Sequence, residues 1–98
     1  RNDSKGFALA LEHFDQHLAN FLSKLKAGDL LFITADHGCD PAFPTTDHTR
    51  EYVPIIAWGP SLPQNIDLGI RQTYSDLAAS AAQWLKIEPL ANGSSFLV

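Results

Sequence analysis

The 98-residue sequence contains no methionine, a single cysteine and no basic run, and each shortage narrows the possible functions. One cysteine, Cys39, cannot form an internal disulfide, which fits a reducing compartment. A net charge of −4 argues against nucleic acid and anionic membranes as partners, because both are bound through basic side chains. No apolar run approaches the ~20 residues that span a bilayer, and no segment resembles a signal peptide. We therefore expect a globular, cytoplasmic chain.

Two amphipathic helices are predicted. Residues 5–27 carry apolar side chains at spacings of three and four, which predicts a helix with Ser4 as its N-cap and Gly28 as its stop. Residues 73–85 have a second apolar face. This helix should begin at Thr73, because an acidic side chain follows three residues later in a pattern similar to a capping box.

Two strands are predicted at residues 29–35 (DLLFITA) and 52–58 (YVPIIAW), with Pro54 at the start of the paired region or on an edge. The unbroken apolar run LLFI is typical of a central parallel strand that is buried on both faces. Helix and strand alternate, which predicts an α/β fold with a mostly parallel sheet and flanking helices. Two strands are too few for that sheet. Together with the start Arg-Asn-Asp-Ser, this indicates a piece of a longer protein, whose exposed sheet edge pairs with a missing segment or another copy.

Residues 34–51, TADHGCDPAFPTTDHTRE, concentrate carboxylates and imidazoles directly after the first strand. In α/β sheets functional groups gather beyond the carboxyl ends of strands. Asp36 and His37 lie there, Gly38 allows the chain to turn, and His48 returns after a loop restrained by two prolines. Oxygen and imidazole donors together suit Mn²⁺, Zn²⁺ or Fe²⁺. Asp-His pairs also serve as turn formers or solvated surface groups, and spacing alone leaves both interpretations open.

The segment ITADHGCDPAFPTTDHTREYVPIIAWGP closely resembles the metal-binding segment of phosphopentomutases, which belong to the alkaline phosphatase superfamily. The T-x-D-H-T-R-E element after D-H-G-x-D-P is the specific part, whereas T-A-D-H-G alone indicates only the superfamily. The final NGSSF also resembles the end of these enzymes. The resemblance implies that residues 1–98 are the C-terminal segment of an alkaline-phosphatase-like core domain, without the N-terminal core segment and the cap domain.

The resemblance also implies a chemistry. Phosphopentomutases interconvert (deoxy)ribose 1-phosphate and 5-phosphate, using two Mn²⁺ ions and a phosphorylated threonine. By position, Asp36 and His37 match ligands of one ion, and His48 matches a ligand of the other. The remaining ligands, the nucleophilic threonine and the sugar-binding cap domain belong to parts of the family that this chain does not match. We therefore expect no catalytic nucleophile here and no activity from the isolated chain.

Other polar residues have less specific interpretations. His13 and His17 are four apart on the first helix, a spacing that suits a metal, but they flank the apolar stripe and are interpreted as solvated boundary residues. Asp40 is a turn former or a hydrogen-bond partner of a ligand histidine. Arg50 pairs with a carboxylate such as Glu51 or meets a substrate phosphate.

Two alternative functions remain open on sequence grounds. One is another enzyme of the superfamily, such as a phosphoglycerate mutase or a phosphodiesterase, whose substrate is not a pentose phosphate. The other is a non-catalytic α/β module that binds a partner through its sheet edge. Metal binding separates these two, because an inert module should bind no Mn²⁺.

Overall fold

A computed structural model describes residues 2–97, and its elements follow the predicted order of helix, strand, strand and helix. They are α1 (Ser4–Leu22), β1 (Leu31–Ile33), β2 (Ile56–Trp58) and α2 (Ser75–Leu85). The chain divides into two compact units, Arg1–Ser61 and Leu62–Val98. The first unit contains α1 and both strands, and the second contains α2 and the tail. Neither helix of the described residues is long and apolar enough to cross a membrane.

α1 begins one residue before the predicted start and has a different N-cap. Asp3, not Ser4, is the N-cap, and its carboxylate Oδ1 accepts a hydrogen bond from the Gly6 N–H at 2.9 Å. An aspartate at this position satisfies one of the N–H groups that the first turn leaves without a helical partner, and its charge suits the positive end of the helix.

α1 ends at Leu22, earlier than the predicted stop at Gly28. Ser23 is the C-cap, and its hydroxyl donates to the Asn20 carbonyl at 2.7 Å, so the last turn is closed by a side chain. The residues that follow form turns with three-residue spacing, such as the Lys24 N–H to the Phe21 carbonyl at 3.0 Å. Serine competes with the backbone for hydrogen bonds, which explains the early end.

An apolar groove of about 500 Å³ lies between α1 and β1. Its lining combines one face of the helix with the whole of the strand: Phe14, His17, Leu18, Phe21, Leu31, Phe32, Ile33 and Thr34. Every residue of α1 is half-buried or exposed, and Phe14 keeps 53% of its surface in contact with solvent. The predicted apolar stripe therefore exists, and within the described residues it is largely uncovered.

β1 and β2 pair in an antiparallel sheet, with Leu31 opposite Trp58 and Ile33 opposite Ile56. The parallel pairing predicted from the apolar run is therefore wrong for these two strands. A parallel connection needs a long crossover, usually a helix, and residues 34–55, all described, connect the strands without one. Both strands are shorter than predicted. Pairing starts two residues after Pro54, as expected for a residue with no N–H to donate.

α2 begins at Ser75, slightly later than predicted, and ends at Leu85 as predicted. The N-cap is Tyr74 rather than the predicted Thr73, and the Thr73 hydroxyl lies just before it and accepts a hydrogen bond from the Ser75 N–H at 3.2 Å. Lys86 closes the other end in the left-handed conformation, with φ of 57°. The sequence offers no glycine there, so a lysine adopts a conformation that glycine usually supplies.

The tail, predicted as a loop with a short apolar end, is held on α2 by buried polar groups. The Ser94 N–H donates to Asp76 Oδ1 at 2.9 Å, and the Phe96 N–H donates to Ser80 Oγ at 3.0 Å. Ser80 is fully buried, and Phe96 is 4% exposed with the Arg71 guanidinium 5.6 Å from its ring centre. Among the described residues, the buried apolar side chains all belong to this unit: Ala79, Ala82 and Phe96.

Candidate metal centre

The candidate site lies in the connection that follows β1, where Asp36 and His37 leave the strand. The structure pairs Gly38 with Thr49 in an isolated antiparallel bridge, and the Thr49 N–H donates to the Gly38 carbonyl at 3.2 Å. This bridge brings the residue after His37 next to the residue after His48. Two segments separated in sequence are therefore fixed side by side by backbone pairing.

Gly38 permits this close approach because it has no side chain. It is buried, and a Cβ atom at this position would lie 2.7 Å from both the backbone N and O of Glu51 and 2.8 Å from the Thr49 carbonyl oxygen. Contacts this short do not occur for real Cβ atoms. The sequence suggested that Gly38 allows a turn, and the structure adds that it allows two backbone segments to touch.

The Gly38 carbonyl also orients His37. Its oxygen lies 2.9 Å from His37 Nδ1, and because a carbonyl oxygen only accepts, Nδ1 carries the proton. The lone pair of His37 is therefore on Nε2, which faces Asp36 with a separation of 3.5 Å from Oδ1. Histidines that bind metals are typically held in this way, with one ring nitrogen donating to a carbonyl and the other free to coordinate.

His48 stacks on His37. The ring centres are 3.5 Å apart and the ring planes are within 10° of parallel. The structure therefore brings together all three residues that the sequence singled out, Asp36, His37 and His48. The Asp36 side chain is 90% exposed and that of His37 is 39% exposed, so the donors face an open surface.

These donors fit a metal ion in type and in spacing. Two ligand atoms about 2.1 Å from one ion lie roughly 3.4 Å apart at a tetrahedral angle, and the Asp36 Oδ1 to His37 Nε2 distance is 3.5 Å. The set is incomplete, however. Within residues 2–97, no group of three or more histidine, cysteine, aspartate or glutamate side chains converges closely enough to hold an ion by itself.

Thr49 is a residue that sequence reasoning did not select. Its hydroxyl Oγ1 is buried and has no hydrogen-bond partner within the described part of the chain. Buried hydroxyl groups are nearly always satisfied, and an exception points to an unseen water, ion or neighbouring group. The orphaned hydroxyl belongs to the residue after His48, so it indicates that this side of the site is completed by something beyond these residues. No pattern in the sequence signals it.

The two acidic residues between His37 and His48 make local hydrogen bonds within the loop, Asp40 through its carboxylate and Asp47 through its backbone N–H. Asp40 Oδ1 accepts a hydrogen bond from the Ala42 N–H at 2.9 Å, which confirms the turn-former interpretation. The Asp47 N–H donates to Thr45 Oγ1 at 2.9 Å. These local bonds shape the connection between the two histidines without adding a carboxylate to the site. Cys39 is exposed and forms no disulfide.

Comparison with known proteins decides the family. A family model described as the Metalloenzyme superfamily matches residues 1–89. The chain belongs to the Metalloenzyme superfamily. Membership implies a metal cofactor, in agreement with the carboxylate and imidazole donors at the end of β1. With two helices and two strands among residues 2–97, this segment of a superfamily member is a mixed α/β structure.

Curated relatives within the Metalloenzyme superfamily carry a more specific name. The chain is 53% identical over 97 residues to a protein of Caldanaerobacter subterraneus subsp. tengcongensis named phosphopentomutase. It is 45% identical over 97 residues to the phosphopentomutase of Clostridium novyi and 50% identical to that of Desulfitobacterium hafniense. Each match covers 99% of this chain and 25% of the relative. The chain thus spans about a quarter of the length of these relatives.

Proposed function

We propose that this chain is a segment of the metal-binding core domain of a phosphopentomutase, to which it contributes three ligands of a two-ion site. The complete enzyme interconverts ribose or deoxyribose 1-phosphate and the corresponding 5-phosphate. The observation that carries the proposal is the pair of contacts made by His37 after β1, with Asp36 beside its Nε2 and His48 stacked on its ring. It occurs in a chain that is about half identical to phosphopentomutases along nearly all of its length.

The stacking of the two imidazoles supports one ion for each ring. An imidazole nitrogen binds a metal in the plane of its ring, and the planes of His37 and His48 run nearly parallel with centres 3.5 Å apart. Rings stacked in this way do not point at one common ion. They suit two neighbouring ions, and paired catalytic ions are typically about 3.5–4 Å apart. We assign Asp36 and His37 to one ion and His48 to the other.

Carboxylate and imidazole donors suit Mn²⁺, Zn²⁺ or Fe²⁺, and the resemblance to phosphopentomutases makes Mn²⁺ the proposed ion among these. When bound, two such ions clamp a phosphoryl group, offset the charge that develops on its oxygens and activate the attacking hydroxyl. The residues of this chain prepare that site. The Gly38 carbonyl keeps the proton of His37 on Nδ1, so that Nε2 and the Asp36 carboxylate present lone pairs together. We place the threonine nucleophile and the other ligands in the rest of the polypeptide.

The apolar groove between α1 and β1 supports the assignment to a larger core domain. Apart from His17 and Thr34, its walls are aromatic and aliphatic side chains that an isolated domain would bury, and monomeric proteins seldom expose such a face. We propose that the remaining part of the core domain covers this groove and supplies neighbours for β1. The parallel strands expected from the sequence then belong to that remainder.

Substitution of Phe14 tests whether the rest of the core domain covers the apolar groove. In the complete polypeptide, Phe14→Ala should lower the free energy of unfolding by about 3–5 kcal/mol, because a buried aromatic side chain is lost. Leu9→Ala, on the same helix outside the groove lining, is the control and should cost much less. Urea unfolding of both variants gives the comparison. Equal, small losses would show that the groove stays open.

The metal assignment is tested in the complete polypeptide with Asp36→Asn and His48→Gln. Each should reduce Mn²⁺ affinity and mutase turnover by about 10²-fold or more, because each removes a metal ligand. Mn²⁺ titration and an assay of ribose 1-phosphate conversion measure the two effects. Asp40→Asn is the matched control, since it removes a nearby carboxylate charge but keeps the oxygen that accepts from Ala42.

Three results separate the alternatives. Wild-type Mn²⁺ affinity in both ligand variants would contradict the metal assignment. Turnover of phosphoglycerate or of a phosphodiester, without turnover of pentose phosphate, would favour another enzyme of the superfamily. Absence of Mn²⁺ binding by the complete polypeptide would favour a non-catalytic module. The 98-residue chain alone, with Mn²⁺ supplied, is expected to be inactive.

A further inference from the structure

A second pair of imidazoles lies on α1. His13 and His17 are one helical turn apart, and their Nε2 atoms are 3.1 Å from each other. The rings meet edge to face, with centres 4.5 Å apart and planes at 73°. Both residues are exposed on the helix surface. Because i and i+4 positions share one face of a helix, the backbone itself holds the two nitrogens at this distance.

We propose that His13 and His17 form a separate metal site on α1, which binds a divalent ion such as Ni²⁺ or Cu²⁺ and completes its coordination with water. Two nitrogens about 2.0–2.1 Å from an ion lie roughly 2.9 Å apart at a right angle and roughly 3.4 Å apart at a tetrahedral angle. The observed 3.1 Å is closer to the right angle. Square-planar and octahedral ions offer that angle.

Metal binding by His13 and His17 requires a change of tautomer, and this change needs no reagent other than water. In the metal-free state one Nε2–H donates to the other Nε2, so one ring already offers a lone pair. When the ion binds, the donor ring releases its Nε2 proton to water and takes one from water on Nδ1. Both rings then present Nε2 lone pairs while remaining neutral, and no net proton is gained or lost.

This site differs from the candidate metal centre in its donors and its selectivity. It has two imidazoles and no carboxylate, so it should follow the order in which Ni²⁺ and Cu²⁺ bind nitrogen far better than Mn²⁺. Two protein donors make a modest site, with affinity well below that of a closed cage. Its ligands lie on α1, whereas Asp36, His37 and His48 lie after β1. His17 also lines the apolar groove between α1 and β1, so this site requires that the imidazole stays accessible when the groove is covered. In all other respects the proposal does not depend on the proposed function.

An ion bridging His13 and His17 also ties one turn of α1 together. Every residue of this helix is half-buried or exposed within the described chain, so its own packing is weak. Binding to the helical form alone shifts the equilibrium toward it, and an ion at 100 times its dissociation constant favours that form about 100-fold. The pair is thus a means by which a metal ion stabilises α1.

Ni²⁺ titration calorimetry on the complete polypeptide tests the site. His13→Gln combined with His17→Gln should remove one Ni²⁺ per chain, and each single change should weaken that ion about 100-fold, because the second imidazole binds intramolecularly. Glutamine favours helix, so the circular dichroism should not change. The Cu²⁺ electron paramagnetic resonance spectrum should show two imidazole nitrogens in the wild type and lose that pattern in the double variant.

Glu12→Gln with Asp15→Asn is the control, because it removes the carboxylates nearest in sequence and leaves both imidazoles. Ni²⁺ binding should stay within about twofold of the wild type. An unchanged number and affinity of Ni²⁺ ions in the histidine double variant would overturn the proposal. Loss of the ion in the carboxylate control would overturn the two-imidazole site as well. Neither result bears on Mn²⁺ binding by Asp36, which is measured separately.

Discussion

Replacing Gly38 with alanine should separate the two segments that hold His37 and His48. The added Cβ would lie 2.7–2.8 Å from three backbone atoms, two of Glu51 and one of Thr49. These atoms belong to the backbone and cannot rotate away as a side chain would. The change therefore acts on the bridge itself.

The magnitude follows from these distances. Carbon–oxygen contacts become acceptable at about 3.3 Å, so the segment containing Glu51 must retreat by roughly half an ångström. Overpacking of this kind typically costs about 1–3 kcal/mol in the free energy of unfolding. The hydrogen bond from the Thr49 N–H to the Gly38 carbonyl, already 3.2 Å long, would be lost. His48 moves with Thr49, so we expect Mn²⁺ affinity to fall by about 10–100-fold.

Urea unfolding and Mn²⁺ titration of the complete polypeptide measure these two effects. Gly28→Ala is the matched control, because its Cβ would meet no described heavy atom within 4 Å. That control should be neutral or stabilising by up to about 1 kcal/mol. If Gly38→Ala unfolds and binds Mn²⁺ as the control does, the close approach at Gly38 does not hold the site, and the reasoning from the bridge is refuted.

Two further substitutions test the fold. Gly93→Ala should destabilise the tail by about 2–4 kcal/mol, because φ is 91° and the new Cβ would overlap the Ser75 carbonyl. Gly69→Ala is the control, because Gly69 also has a positive φ but a Cβ there would meet open space. Urea unfolding of both variants isolates the effect of the overlap, and equal losses of stability would contradict the prediction. Asp3→Ala should cost about 1 kcal/mol and reduce helical circular dichroism, because the Gly6 N–H loses its acceptor, whereas Asp3→Asn should retain stability.

The candidate site residues could be proposed from local sequence order. Asp36 and His37 follow an apolar run that ends in a turn, and His48 follows a loop with two prolines, so the sequence predicts them as metal donors, and this assignment stays a prediction. The sequence did not reveal how they meet. The stack of the two imidazoles depends on the bridge between Gly38 and Thr49, and backbone pairing between distant residues leaves no periodic signal.

Both helices were predicted at the correct places in the chain, but some of their end residues were predicted wrongly. Hydrophobic spacing identified α1, but the helix ends before Gly28, at the C-cap Ser23, whose hydroxyl donates to the Asn20 carbonyl. The positions of the two strands were predicted correctly, but the predicted parallel direction of their pairing was wrong. An apolar run indicates burial and carries no information about the neighbour's direction, which depends on the connection between the strands.

The sequence alone determined the order of helices and strands, the donor types at the end of β1 and the exclusion of an internal disulfide, because each depends on residue identity and short-range spacing. Only the tertiary structure decided the antiparallel pairing, the stacking of His48 on His37 and the attachment of the tail through Asp76 and Ser80. These features arise from contacts between residues far apart in the chain. Such contacts require loops to close between distant residues, and short-range sequence patterns do not reveal which residues meet.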